Sequence, residues 1–467
     1  VTDSPTPPRA EEPADAEPNG AEMPASEPPA FAPSAAQPSE PSDAGLSVTP
    51  PPAARPSSSA PLAVRLDRAL TGGLARVTGT SLGPYQTAVI RIGYAFTWLF
   101  FLVREWPHRH ELYGPDGTWD WDMARRLVDD NHSFTALMWS DGAFWFEAVY
   151  CLAIVSSALL LLGWRTRTMS VLFMLGVLSL QNRSVFVGDG GDNVIHLMSM
   201  YLVLTRCGQV WSLDARRARR GGGRGPDRDT TGVVLWAVAG LALGTAQFLG
   251  VSHLSWTANG PLPGLGWATV LWGLWLVYAA WWLARRYAPG EPRTVLDAFA
   301  HLAHNSALLV IMVQVCLIYA TAGWYKVQGS RWQDGTALFY PMHLDYFSPW
   351  PALADALTSS GLITMAVTYG TVIVQVAFPF TLFNRRIKNV LLALMIVEHL
   401  SIAFFLGLPF FSLAMITADA VFLPTNFLRA AGRRLGGLRD RLPAGRRPSL
   451  PEQRTGDGEA APRTLVG

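Results

Sequence analysis

Ten apolar runs separated by polar stretches organise this chain, at roughly 84–104, 143–163, 168–181, 192–206, 231–251, 267–284, 303–325, 361–383, 388–406 and 409–425. A helix needs about 20 predominantly apolar residues to cross the hydrocarbon of a bilayer, and most of these runs approach that length. The third, fourth and last are short, which predicts helices that lean on protein rather than lipid, or a re-entrant pair. The pattern predicts an all-α integral membrane protein, a polytopic bundle of about ten transmembrane helices with no separate soluble domain.

Residues 1–62 are dominated by Pro, Ala, Ser and Glu and hold almost no aromatics. Such a segment buries too little surface to offset the entropy of ordering, so a disordered tail is expected. It lacks the basic start and apolar core of a signal peptide, which makes the first apolar helix the expected insertion signal. Residues 63–428 are the expected transmembrane domain and 429–467 a basic, disordered tail. Arg165 and Arg167, the cluster from Arg206 to Arg228, Arg285, Arg286 and Arg293, then Arg385, Arg386 and Lys388 fall on alternate loops. Basic flanks prefer the cytoplasmic side, so a ten-helix chain is expected in the plasma membrane, multi-pass, with both termini cytoplasmic. On the opposite side, the segment from Glu105 to Gly142 spaces Trp106, Trp119, Trp121 and Trp139 as interfacial elements do.

Composition adds constraints without changing this picture. Hydrophobic residues make up 50% and charged residues 15%, which excludes an ordinary soluble chain. A net charge of +2 gives no reason to expect nucleic acid, and membrane lipid is the expected partner. Cys151, Cys207 and Cys316 are scattered through apolar segments, which predicts small buried residues rather than disulfides or a redox motif. No recurring His and carboxylate spacing predicts a metal site.

Candidate chemistry begins with a scarcity. The chain has 2 lysines against 35 arginines, and Lys388 sits beside Arg385 and Arg386 as an ordinary topology charge. Lys326 follows an apolar run, in "AGWYKVQGSRW", where a basic side chain that can lose its proton on desolvation, as a guanidinium does not, has been used. It reads either as a lysine snorkelling from a helix end or as a base in a pocket. Trp324, Tyr325, Trp332 and Tyr340 fit an interfacial belt or the walls of a pocket for a flat ring.

A second polar segment, "GDGGDNVIH", brings Asp192, Asn193 and His196 onto one helix face through i, i+3 and i, i+4 spacings. The same residues also suit a helix cap with His196 as an interhelical hydrogen-bond partner. Glu398 and His399 interrupt the ninth apolar run, and as adjacent helix positions they point about 100° apart, toward different partners.

The segments "LLLLGWRTRTMSVLFMLGVLSLQNRSVFVGDGGDNVIHLMSMYLVLTRCGQVWSLDARR" and "YATAGWYKVQGSRWQDGTALFYPMHLDYFSPWPAL" resemble bacterial membrane proteins with a horizontally transferred transmembrane domain, relatives of vitamin K-dependent gamma-glutamyl carboxylase. The resemblance covers roughly residues 80–428. It implies an outward-facing site at which an unprotonated lysine deprotonates a reduced naphthoquinone, vitamin K or menaquinol. Oxygen then yields the strong base that takes a γ proton from peptidyl glutamate, and carbon dioxide adds. It places Lys326 on the base, Tyr325 where the carboxylase has a second lysine, and His399 with "PFFS" on another family histidine. At Gly190 to Val194 no histidine stands in register with the family's, so Asp192, Asn193 or His196 is the expected substitute. The implied partners are a quinone and a peptide or protein substrate on the outer face. With only about 40 residues after the last helix, the large outward domain that grips the carboxylase's peptides is expected to be missing from this sequence. Two other classes remain open: a transporter or channel, and a scaffold acting through residues 1–62. The transporter predicts charged groups spread through the membrane depth, whereas here they gather at outer helix ends.

Overall fold

A computed structural model describes residues 62–220, 230–252, 254, 264–288 and 290–441. All regular structure among them is helical, and each of the ten apolar runs forms a helix. The longer helices are α1 (Leu62–Gly79), α2 (Pro84–Arg104), α3 (Ala143–Leu162), α4 (Thr166–Arg183), α5 (Gly190–Leu204) and α6 (Thr230–Phe248). They continue as α7 (Trp267–Tyr287), α8 (Glu291–Gln328), α9 (Gly361–Ala377), α10 (Arg385–Phe405), α11 (Pro409–Asp419) and α12 (Thr425–Arg441).

Seven of the described helices are long and apolar enough to cross a membrane: α2, α3, α6, α7, α8, α9 with its short extension, and α10. Counting α11 and α12 as one span bent by 116° makes eight. The three runs that fall short alone are the three that are short in sequence, α4, α5 and α11. Their position accounts for their composition, because α5 packs on α4, α8 and α11, while α11 packs on α2 and α10. A helix walled by protein does not need the length or uniform apolarity that lipid demands. The α6 and α7 pair is the opposite case, with only 11% of each span buried.

The expected carboxy-terminal tail starts as structure, since α12 carries residues 429–441 as helix. Residues 442–467, and residues 1–61 of the expected amino-terminal tail, lie outside the described residues. The segment between α2 and α3 holds two short helices, Arg109–Tyr113 and Trp121–Asp130. Asp120 caps the second by accepting from the Met123 amide at 2.9 Å.

Buried polar groups hold the helices in register. Arg91 on α2 is completely buried and donates to the carbonyls of Leu160, Leu161 (2.9 Å), Trp211 (2.8 Å) and Cys207 (3.3 Å). Helix ends leave carbonyls without intrahelical partners and carry partial negative charge, so one guanidinium satisfies the end of α3 and pins the turn before "WSLD" to it. Gly163 ends α3 at φ 72°, and a Cβ there would sit 2.4 Å from Ser212 Cβ, so the turn needs glycine twice over. Asp214 of the same element accepts from the Arg165 (2.9 Å) and Thr166 (2.8 Å) amides and so starts α4. On α8, Asn305 donates to Val77 and Thr80 carbonyls (2.7 and 2.8 Å) and accepts from the Leu82 amide (2.8 Å), tying the end of α1 to α8.

Arg91→Met is expected to lower stability by at least about 2 kcal/mol, because several buried carbonyls lose a charged donor together. A lowered unfolding midpoint in detergent, measured by intrinsic fluorescence, checks this. An unchanged midpoint would remove Arg91 as a clamp.

Candidate functional site

Lys326 stands in the last turn of α8, and its side chain turns back toward the bundle instead of reaching away from it. Nζ donates to Gln375 Oε1 on α9 at 2.7 Å and lies 5.2 Å from the centroid of the Trp332 ring. Gln375 is buried, and its Nε2 donates to Glu398 Oε1 on α10 at 2.6 Å. One amide therefore reads both partners, its oxygen accepting from the amine and its nitrogen donating to the carboxylate. Lys326 and Glu398 feel each other's charge, yet among the described residues no direct ion pair joins them. Three helices supply one group each, so the site exists only in the folded bundle.

His399, next to Glu398, faces the other way. Its Nε2 lies 2.9 Å from the Tyr319 hydroxyl, which in turn lies 3.0 Å from Asp419 Oδ2. All three side chains are buried, at 2%, 1% and 0% exposure, so the row is shielded from solvent. Tyr319 has one proton to give. With Asp419 ionised, the hydroxyl donates to the carboxylate and His399 must donate from Nε2; with one proton added on Asp419, the direction reverses, Asp419 donating to Tyr319, Tyr319 to His399 Nε2, and His399 carrying its proton on Nδ1. The geometry thus supports two protonation patterns of one fixed set of atoms. Among the described residues, the buried polar atoms without a protein hydrogen-bond partner include Asp419 Oδ1, His399 Nδ1, Tyr94 Oη, Trp98 Nε1 and Ser412 Oγ. They come from α2, α10 and α11, the helices around this row.

The adjacent positions 398 and 399 serve different networks, as their angular separation requires. Lys326 and His399 are thereby brought into one region, through α10. Asp192, Asn193 and His196 are placed differently. Asp189 caps α5 by accepting from the Gly191 (2.7 Å) and Asp192 (3.1 Å) amides, and Asp192 completes a capping box by accepting from the Asp189 amide at 2.9 Å. His196 Nδ1 pairs with Gln181 Oε1 on α4 at 2.9 Å, while Asn193 is exposed. Among the described residues no hydrogen bond or ion pair links these three to Lys326. The start of α5 meets Phe411 instead, whose ring centroid is 5.6 Å from that of His399.

No family model, curated protein or solved structure matches the chain.

Of the aromatic residues expected to hold a ring, Trp332 lies against the Lys326 amine, while Trp324 (63% exposed) and Tyr325 (73%) face outward. Tyr340 carries the Arg331 guanidinium over its ring at 4.6 Å. Among the described residues no group of three His, Cys, Asp or Glu converges on a common point. A cavity of about 630 Å³ opens between α3 and α4 on one side and α6 and α7 on the other, and none of the predicted site residues lines it. Gln375, Tyr319 and Asp419 went unnoticed in the sequence. The available signal was polarity inside apolar runs, which Gln375 and Tyr319 show plainly and Asp419, at the end of a short run, shows weakly.

Proposed function

We propose that the chain is a ten-span protein of the plasma membrane with both termini cytoplasmic. We further propose that the Lys326, Gln375 and Glu398 network is a proton-transfer site serving oxygenation of a reduced naphthoquinone. The observation that carries the reading is the Lys326 amine held on a neutral amide oxygen beside an indole, with its nearest carboxylate one hydrogen bond further away. A lysine so placed is positioned by Gln375 without being locked into an ion pair, which leaves the amine able to take and return a proton. The aromatic face of Trp332 beside Nζ suits a flat ring whose hydroxyl points at the amine. When bound, the quinol with oxygen supplies the strong base of the reaction, one oxygen atom ending in the epoxide and the other in water. In this reading Lys326 accepts the quinol hydroxyl proton, Gln375 orients the amine, and Glu398 stabilises the charged amine that results. A peptide or protein glutamate on the outer face, with carbon dioxide, is the acceptor that the resemblance of "AGWYK" and its flanks implies.

A second reading, proton-coupled transport, is favoured by one specific observation, the buried Tyr319, His399 and Asp419 row. Such a chain of ionisable groups is what a proton path uses. The two readings separate in one preparation. Purified protein in nanodiscs is supplied with menaquinol and oxygen, and epoxide is measured by mass spectrometry. Epoxide formation supports the enzyme. Its absence, together with proton uptake into proteoliposomes reported by an entrapped dye, supports transport instead.

A further inference from the structure

The cavity between the loosely packed α6 and α7 pair and the α3 and α4 wall has no part in the site above. It runs along the helices, with Trp139 and Trp145 at one end and Arg167 and Arg206 at the other. Between them the walls are mainly aliphatic and aromatic, and the hydroxyls of Ser179 and Thr205 donate to their neighbours' carbonyls, Leu175 (2.5 Å) and Leu202 (2.8 Å). From Arg167 to Ser179 the rise along α4 is about 18 Å, close to half of the ~30 Å hydrocarbon thickness of a bilayer.

Charge distinguishes the two ends. Arg206 contacts Asp297 Oδ1 at 3.3 Å and the His301 ring at 3.1 Å, and Asp297 is shared with Arg293 at 3.7 Å. The Arg167 guanidinium has no hydrogen bond and no carboxylate within ion-pair distance among the described residues, and it rests 5.1 Å over the Trp281 ring. Arg206 is close enough for its charge to act on Arg167. Arg206 and Arg293 thus share one carboxylate at the mouth of an apolar slot, and Arg167 stands within reach of the Arg206 charge with no ion pair of its own among the described residues. A guanidinium held over an indole by its charge, with no acceptor taking its N–H groups, can offer those donors to a planar or tetrahedral oxyanion.

We propose that this crevice is a specific site for one anionic phospholipid, its phosphate held by Arg167 and Arg206 and one acyl chain lying in the slot. The length of the slot matches one leaflet, and the arginine end is the end that positive-inside orientation puts at the cytoplasmic leaflet. The inference rests on the membrane reading but not on quinol chemistry, so its failure leaves that chemistry untouched.

The test measures thermal unfolding of the purified, delipidated protein titrated with phosphatidylglycerol, phosphatidylcholine or inorganic phosphate. Phosphatidylglycerol is expected to raise the midpoint at lower concentration than phosphatidylcholine, with phosphate alone giving no shift. Arg167→Gln is expected to weaken phosphatidylglycerol binding about tenfold or more while leaving the lipid-free midpoint unchanged. Ala239→Phe, which fills the slot from the exposed α6 face, is expected to weaken binding of both lipids, and it keeps the test open if Arg167→Gln unfolds. Equal response to the two lipids, unaltered binding by Ala239→Phe, or stabilisation by phosphate alone would each overturn the proposal.

Discussion

Lys326→Ala is expected to form quinol epoxide at no more than about a hundredth of the wild-type rate, the lower bound for removal of a positioned general base. Lys326→Arg is expected to do no better. An arginine retains the positive charge and can still reach the Gln375 oxygen, but a guanidinium does not release its proton in a protein. The pair of substitutions therefore separates two roles that alanine alone confounds. If Lys326 acts only as an interfacial or structural cation, arginine keeps the activity and alanine loses it with stability. If it acts as a base, both lose activity while the unfolding midpoint of the arginine variant stays near wild type. Added primary amines should restore part of the alanine variant's rate in proportion to the free-base concentration. Gln375→Leu gives an intermediate case, since the amine remains but loses its 2.7 Å acceptor and Glu398 loses its 2.6 Å donor. Its rate should fall less than that of Lys326→Ala, because orientation is lost and the base is not. Full epoxide formation by Lys326→Ala would end the assignment of Lys326 as the base, leaving epoxidation to other groups.

Lys326 was legible because its signal is local: one lysine among arginines, at the end of a long apolar run. Gln375 and Glu398 lie on other helices and carry no motif, so only the packing of α8, α9 and α10 shows that they share a hydrogen-bonded path. The helical placement of the apolar runs follows from periodicity and length alone, which is why all ten became helices. Whether α4, α5 and α11 meet lipid depends on their neighbours, and no window of sequence contains those. The "GDGGDN" segment is instructive in a different way. Its spacing put Asp192, Asn193 and His196 on one face, but the same residues suit a helix start, and the structure uses Asp189 and Asp192 reciprocally to cap α5. Arg91 is the clearest omission. A lone arginine in an apolar run reads as costly, and only the carbonyls of α3 and the 207–211 turn explain it.

Tyr319→Phe is expected to destabilise the protein by about 1–3 kcal/mol, the cost of leaving a buried polar partner without its hydrogen bond. The hydroxyl is the only donor to Asp419 Oδ2 among the described residues, and Oδ1 of the same carboxylate already lacks one. Asp419→Leu alone is expected to cost less, since it leaves Tyr319 its 2.9 Å contact with His399. Combining the two should then cost less than the sum, because replacing both members of a buried pair by apolar groups removes the stranded carboxylate that makes the first change expensive. Unfolding midpoints of the four proteins in one detergent form the double-mutant cycle. A coupling near zero would mean that the row is held by packing around it and that its hydrogen bonds contribute little. The same variants bear on function through a different readout. If the row conducts protons, Tyr319→Phe stops proton uptake even where the protein remains folded, because a phenyl ring can neither accept from Asp419 nor donate to His399. If the row only stabilises the helices that carry Glu398, epoxide formation by the folded fraction is unchanged. A stable but non-conducting variant and a destabilised but active one are thus distinguishable outcomes, and they assign the buried row to transport or to scaffolding of the Lys326 site.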